Sequence, residues 1–270
     1  MKTVFVVGNK FHEFCRNDGV ITIGELGEMT RTSTFDRLAP GSRLVVGQGV
    51  RDAELLSICD QAHHALAVHD IDIQPILSRS VRASRLQTHK HYTQNSIISH
   101  PSQIDEHCFE AALLLDERSE LMADHQTGQH IQGMILIEAA RQLFLAVTEE
   151  YFIGQTVHER YYFVINSVDV KFMGFVFPLG AMLHYKIVSK DITNPTRMCF
   201  NTIISVIQGA TCPTQIAFGF TVFYASKIEA KEQQQAQALL LQIRQSGICM
   251  HPHLSEPTRH DGNEAQLARA

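Results

Sequence analysis

Glu138, Arg141 and Gln142 are the only polar side chains in the stretch GMILIEAARQLFLAV, residues 133–147. Their spacing of i, i+3 and i+4 puts them on one face if the stretch is a helix. A helix that is otherwise apolar all round is a core helix, and a single polar stripe means that it touches something polar at one place. A buried carboxylate must be paired, protonated or coordinated. One reading pairs Glu138 with Arg141 inside the helix and bonds Gln142 to backbone. The other makes this face the wall of a site. The residues just before the helix favour the second: Asp124, His125, Gln129, His130 and Gln132 crowd together, with Gly128 and Gly133 among them. Histidine is the natural base near neutral pH. A glycine opening a helix lets backbone N–H groups polarise a carbonyl oxygen. A histidine of this cluster with Glu138 is a candidate acid–base pair, and the Gly133 N–H is a candidate donor to a carbonyl oxygen. Arg141, whose fork suits phosphate or carboxylate, joins Gln142, His130 and Gln129 as candidate substrate-binding groups. Asp124 reads better as a loop cap than as a catalyst.

Elements on both sides must hold this segment. TVFVV (3–7), VITIG (20–24) and RLVVG (43–47) read as strands, and RDAELLSICDQAHHAL (51–66) as an amphipathic helix with Leu55, Ile58, Ala62 and Leu66 inward. The GQG at 47–49 lacks the spacing of a dinucleotide loop and reads as a strand-to-helix turn. DIDIQPIL looks extended, punctuated by Pro75. Residues 1–80 thus form a small α/β unit. The basic SRSVRASRLQTHKH (78–91) is a linker or an arm over the next unit. From 85 to 227 come strands near 91–99 and 108–116, the long helix at about 132–150, and strands at 160–172, 181–190, 197–208 and 214–226. One long helix followed by antiparallel strands is an α+β pattern in which a sheet wraps the helix. Residues 228–244 are helix-prone and polar, and the tail from Ser246 has a disordered composition; together 228–270 make the third segment.

The chain has 270 residues with a formal net charge of −5, and no basic cluster of the kind that marks nucleic-acid binding. No apolar run reaches the roughly 18 residues needed to span a bilayer, and the apolar start is interrupted at Gly8 and Asn9. The scattered cysteines form no C-x-x-C pair, so free thiols in a reducing cytoplasm are expected. A metal reading built on Asp124, His125, His130 and the THKH at 88–91 has neither the helical spacing nor the carboxylate of a zinc-enzyme site. No metal and no cofactor are expected.

H-x-x-G followed by G-hydrophobic-x4-E-A-x-x-Q resembles the hotdog-fold β-hydroxyacyl-carrier-protein dehydratases, whose pattern is near G-H-F-P-G and then P-G-V-L-x-x-E-A-x-x-Q. His125 falls on their catalytic histidine, Gly133 on the glycine that opens the central helix, and Glu138 on the catalytic acid. The His-to-Glu spacing is one residue shorter here, and Gln132 replaces the proline. VKFMGFVFPLGAML (170–183) resembles their strand–turn–strand segment. The whole of DHQTGQHIQGMILIEAARQ, with THK at 88–90, is similar to the A-factor-biosynthesis (AfsA-type) hotdog family, which carries D-H-x-x-G-Q-H-x-x-G-M-x-L-x-E-A-x-R-Q. The resemblance implies a hotdog fold over roughly 85–227 and an acyltransferase. Such an enzyme moves a β-ketoacyl group from an acyl-carrier protein or CoA thioester to a small hydroxylated acceptor such as dihydroxyacetone phosphate, as in butyrolactone-type signalling metabolism. Dehydration or hydrolysis of acyl thioesters is the neighbouring chemistry, and a non-catalytic acyl-binding module is the third possibility. The prototype has two such domains in tandem. This chain has one, and hotdog sites form between domains, so a homodimer is expected.

Overall fold

The computed structural model describes residues 2–35, 37–123, 127–153 and 160–246. Met1–Ala225 is one compact unit, and a second begins at Ser226.

Strands β1 (Thr3–Val7), β2 (Val20–Thr22) and β3 (Arg43–Val46) make a parallel sheet in the order β2-β1-β3. The helices α1 (Ile23–Thr32) and α2 (Asp52–Val68) pack with it. Leu55, Ile58, Ala62 and Leu66 of α2 are buried, as their period predicts. Two expectations fail here. VITIG is a strand only to Thr22, where a capping box stops it: the Thr22 hydroxyl accepts from the Glu25 N–H, and the Glu25 carboxylate accepts from the Thr22 N–H. DIDIQPIL is not extended throughout, because α3 (Gln74–Leu77) places Pro75 in its first turn, where the missing N–H costs nothing.

The larger sheet is antiparallel, in the order β4-β5-β7-β8-β9-β6. Its strands are β4 (Ser102–Gln103), β5 (Cys108–Ala112), β6 (Tyr161–Phe172), β7 (Met182–Asp191), β8 (Arg197–Gln208) and β9 (Thr211–Tyr224). The expected strand near 91–99 is a 3-10 turn at Thr93–Asn95 and then isolated pairing of Ile98 with Leu113. Helix α4 (Gly133–Thr148) is the core helix. Phe144 stacks on Phe220 with centroids 4.3 Å apart and meets Phe218 edge-on at 5.0 Å. Ile135, Leu143 and Val147 are wholly buried, each contributing about 1.5–3 kcal/mol of apolar burial. The fold is the expected α+β hotdog arrangement, a sheet around a long helix, preceded by a small α/β unit.

Two features tie the first 80 residues to this sheet. Gln48, 2% exposed, is a backbone splice: its Nε2 donates to the carbonyls of Leu113 (2.9 Å) and Leu179 (3.1 Å), and its Oε1 accepts from Leu115 N–H (2.8 Å). Gly47 is obligatory beside it, since a Cβ there would lie 2.2 Å from the Pro178 carbonyl. Residues 78–91 are an arm, with Ala83 N–H donating to Ile98 O at 3.0 Å. Helix α5 (Ala225–Ser246) matches the expected polar helix and presents Leu239, Leu240 and Leu241 to solvent. No helix among the described residues is long and apolar enough to cross a membrane.

Candidate active site

Along α4 the outward stripe is Met134, Glu138 and Arg141, at the i, i+4 and i+7 positions of one face. Arg141 grips the Glu138 carboxylate at both oxygens, Nε to Oε2 at 2.7 Å and Nη2 to Oε1 at 2.9 Å. Lys90 Nζ lies 2.7 Å from Oε1, and Gln142 Nε2 donates to the same oxygen at 3.0 Å. The carboxylate is the covered end of this cluster, with the Glu138 side chain 15% exposed against 22% for Lys90 and 28% for Arg141. Burial alone pushes the Glu138 carboxyl up; the bonds and charge of Arg141, with Lys90 and Gln142, outweigh it and hold the group below the ordinary carboxylate value. At neutral pH Glu138 is a fixed anion that orders two cations.

Gln142 is fully buried. Besides Glu138 it accepts from Ile97 N–H at 2.8 Å and donates to Asn95 O at 2.8 Å. Its bonds all go to the protein, so it positions Glu138 and the 95–97 segment.

The cations Lys90 and Arg141 reach an open cleft of about 970 Å³ whose wall also includes Arg85, His89, His100, Glu149, Glu150, Arg160 and Tyr161. His89 Nε2 meets Glu149 Oε1 at 2.5 Å, and His100 Nε2 meets Glu150 Oε2 at 3.0 Å. With both glutamates engaged, Arg85, Lys90, Arg141 and Arg160 give the cleft a positive surplus, which suits an anionic ligand. Reasoning from sequence did not single out Lys90 or His89 as site residues, although both lie in the THK that accompanies the family motif.

The loop before α4 is held from the N-terminal unit. His125 and Asp124 lie outside the described residues. The segment Asn9–Arg16 grips the loop on either side of them: Lys10 Nζ donates to Met122 O, Phe14 N–H to Gly128 O (3.1 Å), and Gln129 Nε2 to Glu13 O (2.9 Å). Gln129 thus reaches the main chain of that segment. Gly128 has φ +73°, and a Cβ there would lie 3.1 Å from Glu13 Cβ and Cγ. Gly128→Ala is expected to cost about 1–2 kcal/mol from the left-handed backbone alone, read as a lowered midpoint in thermal unfolding.

His130 and Gly133 meet at a small pocket of about 220 Å³ with Phe172, Phe175 and Leu136. The His130 Nδ1 is 3.3 Å from Thr127 Oγ1, and its ring lies 4.6 Å from that of Phe175. Gly133 is packed under Phe172, whose Cζ would lie 2.6 Å from an added Cβ. Gly133 sits about 7.5 Å along the helix axis from Glu138, at 1.5 Å per residue. Among the described residues these candidates thus form two groups, His130 of the loop with Gly133 at the start of α4, and Glu138 with Arg141 and Gln142 farther along the helix. Among the described residues no group of three or more His, Cys, Asp or Glu could hold a metal ion.

An antiparallel sheet around a buried helix, with a polar motif at that helix's start, defines a hotdog-type domain. Residues 71–194 match the family model of the A-factor biosynthesis hotdog domain. Solved structures with local similarity include a mutant thioesterase from Pseudomonas aeruginosa, 14% identical over 47% of this chain and 81% of that one, with TM-score 0.34. A conserved protein from the same organism is 13% identical over 52% and 98%, with TM-score 0.36. A thioesterase from Haemophilus influenzae is 12% identical over 52% and 87%, also at 0.36. A comparison with curated proteins gave no significant match.

Proposed function

We propose that this protein is an acyl-thioester-processing enzyme that transfers a β-ketoacyl group from an acyl-carrier protein or CoA thioester to a small hydroxylated acceptor. Its metabolic setting in this reading is the making of a butyrolactone-like signalling molecule or secondary metabolite. The observation that carries it is the Glu138 cluster: a carboxylate set into an apolar core helix within the matched 71–194 segment, presenting Lys90 and Arg141 to a cationic cleft. Such cations suit the phosphates of a phosphopantetheine or CoA carrier, or of a phosphorylated acceptor. In this mechanism His125 takes the proton of the acceptor hydroxyl, which attacks the thioester carbonyl. The N–H of Gly133 stabilises the oxyanion, helped by the positive end of α4. Collapse expels the thiolate. Because its carboxyl is held below the ordinary value, Glu138 serves as an orienting anion in this scheme, and the proton for the thiolate comes from the histidine. Arg141 holds a phosphate, His130 lines the acyl entrance, and Gln142 and Gln129 keep the walls in place.

The enzyme acts as a homodimer in this reading. Support comes from β6, a sheet-edge strand of 12 residues with Tyr162, Ile165, Val168 and Phe172 exposed, and from Met134, Met173 and Phe175 nearby, also exposed. An apolar edge of this kind pairs with another chain unless it is covered.

The test is mass spectrometry of products from a β-ketoacyl thioester, with and without dihydroxyacetone phosphate. Acyl transfer gives an ester that requires the acceptor and is lost in His125→Ala. Arg141→Leu is expected to lower kcat/KM about 10- to 100-fold by removing a charge-assisted phosphate contact. Free acid formed without the acceptor makes the protein a thioesterase. An enoyl product from β-hydroxyacyl thioesters makes it a dehydratase. No turnover of either substrate by folded protein leaves a non-catalytic acyl-binding module.

A further inference from the structure

A second cavity of about 370 Å³ lies away from the Glu138 cleft and shares no lining residue with it. Its wall brings together Arg79 and Ser80 of the arm, Gly47 and Gln48 of the splice, and Leu113, Gly180, Met182 and Ile207 of the hotdog sheet. Arg79 is a poorly satisfied cation. Its Nη1 donates to Asp52 Oδ1 at 2.8 Å, but its Nη2 is buried without a hydrogen-bond partner. Arg82, only 8% exposed, draws on the same carboxylate through Nε at 2.9 Å, so two guanidinium groups share Asp52. The nearby Asp116 is occupied by Arg118, at 2.7 Å from Nη2 to Oδ2. Arg79 and Arg82 therefore lean on one carboxylate, and Asp116 is not free to take up the second Arg79 nitrogen. Burial pulls the Arg79 guanidinium below its ordinary value, against the opposing pull of Asp52. An unpaired buried donor is costly, and an anion accepting from Arg79 Nη2 would relieve it.

The rest of the cavity is not polar enough to recommend a bare ion. Leu113, Met182 and Ile207 supply apolar wall, and a Cβ added to Gly180 would meet nothing within 4 Å. We propose that this cavity binds a small organic acid, its carboxylate on Arg79 and its apolar body along Met182 and Ile207. The site does not depend on the acyltransferase reading.

The experiment is calorimetric titration and thermal unfolding of the full chain with hexanoate, with inorganic phosphate as the comparison oxyanion. Wild type is expected to bind hexanoate and unfold at higher temperature with it. Arg79→Met is expected to bind about tenfold more weakly or worse, as loss of a hydrogen bond to a charged group predicts. Without ligand this variant is expected to be at least as stable as wild type, because it removes a cation that its partners only half satisfy. Gly180→Leu leaves Arg79 in place but fills the cavity, and should also abolish binding, which covers the case in which Arg79→Met does not fold. The proposal is overturned if wild type binds neither anion, or if hexanoate binding survives in either folded variant. Binding of phosphate but not hexanoate overturns the organic-acid assignment.

Discussion

Replacing Glu138 by alanine is expected to abolish turnover and to destabilise the protein by about 3 kcal/mol, the lower end of what breaking a buried ion pair costs. The lower end applies because the side chain keeps 15% exposure. Arg141 and Lys90 lose their shared anion, and their charges repel across the space it held. Activity falls because the two cations facing the cleft are no longer fixed. Glu138→Gln separates the two causes, since the amide keeps the shape and one acceptor oxygen but not the charge. It should keep most of the packing and lose most of the activity. The variants also predict a pH signature. The folded carboxyl titrates below its ordinary value, whereas the unfolded group titrates at about 4.3. Its contribution is therefore complete above the unfolded value and is lost as pH falls through the folded one. Urea unfolding across the acid range should show wild type losing stability faster than Glu138→Gln as pH drops. Parallel curves would mean that the cluster contributes nothing to folding.

Gln142→Ala should destabilise by about 3–4 kcal/mol, a sum of two stripped backbone groups and a cavity. The Ile97 N–H and Asn95 carbonyl lose their partner together. Neither is easily rescued by water, since Gln142, Ile97 and Asn95 are all buried. Gln142→Met keeps nearly the same volume but offers no strong bond, so the gap between the two variants measures the cavity. Both should also slow catalysis in this scheme, because the Gln142 amide holds Glu138 Oε1. Chemical denaturation at constant pH checks the stabilities. A cost under about 0.5 kcal/mol for the alanine, the size of an ordinary surface change, would contradict the bridging role of Gln142 between Ile97 and Asn95.

The parts of this molecule that were legible in sequence are those whose cause is local. Helix α4 declared itself because its polar residues keep to one stripe, and α2 through the period of Leu55, Ile58, Ala62 and Leu66. The pairing of Glu138 with Arg141 follows from their spacing alone. Helix α1 was missed although T-I-G-E, residues 22–25, spells a capping box; the β-branched run before it masked the signal. Pro75 read as a breaker when it was a first-turn residue. Lys90 could not be placed by any local rule, since only the folded chain brings it to Glu138. Gln48 looked like a turn residue because its partners, Leu113, Leu115 and Leu179, are all distant in sequence. The roles of Gln129 and Gln142 turn on the same kind of long-range bond.

The exposed edge of β6 has a consequence for how such an enzyme would behave in a cell. A catalyst completed by pairing two copies along that strand obeys mass action: diluted below its dissociation constant, its specific activity falls with concentration. Output would then rise more steeply than protein level during early expression and in proportion to it later. A producer of signalling molecules built in this way would stay quiet at trace abundance, without any separate regulator.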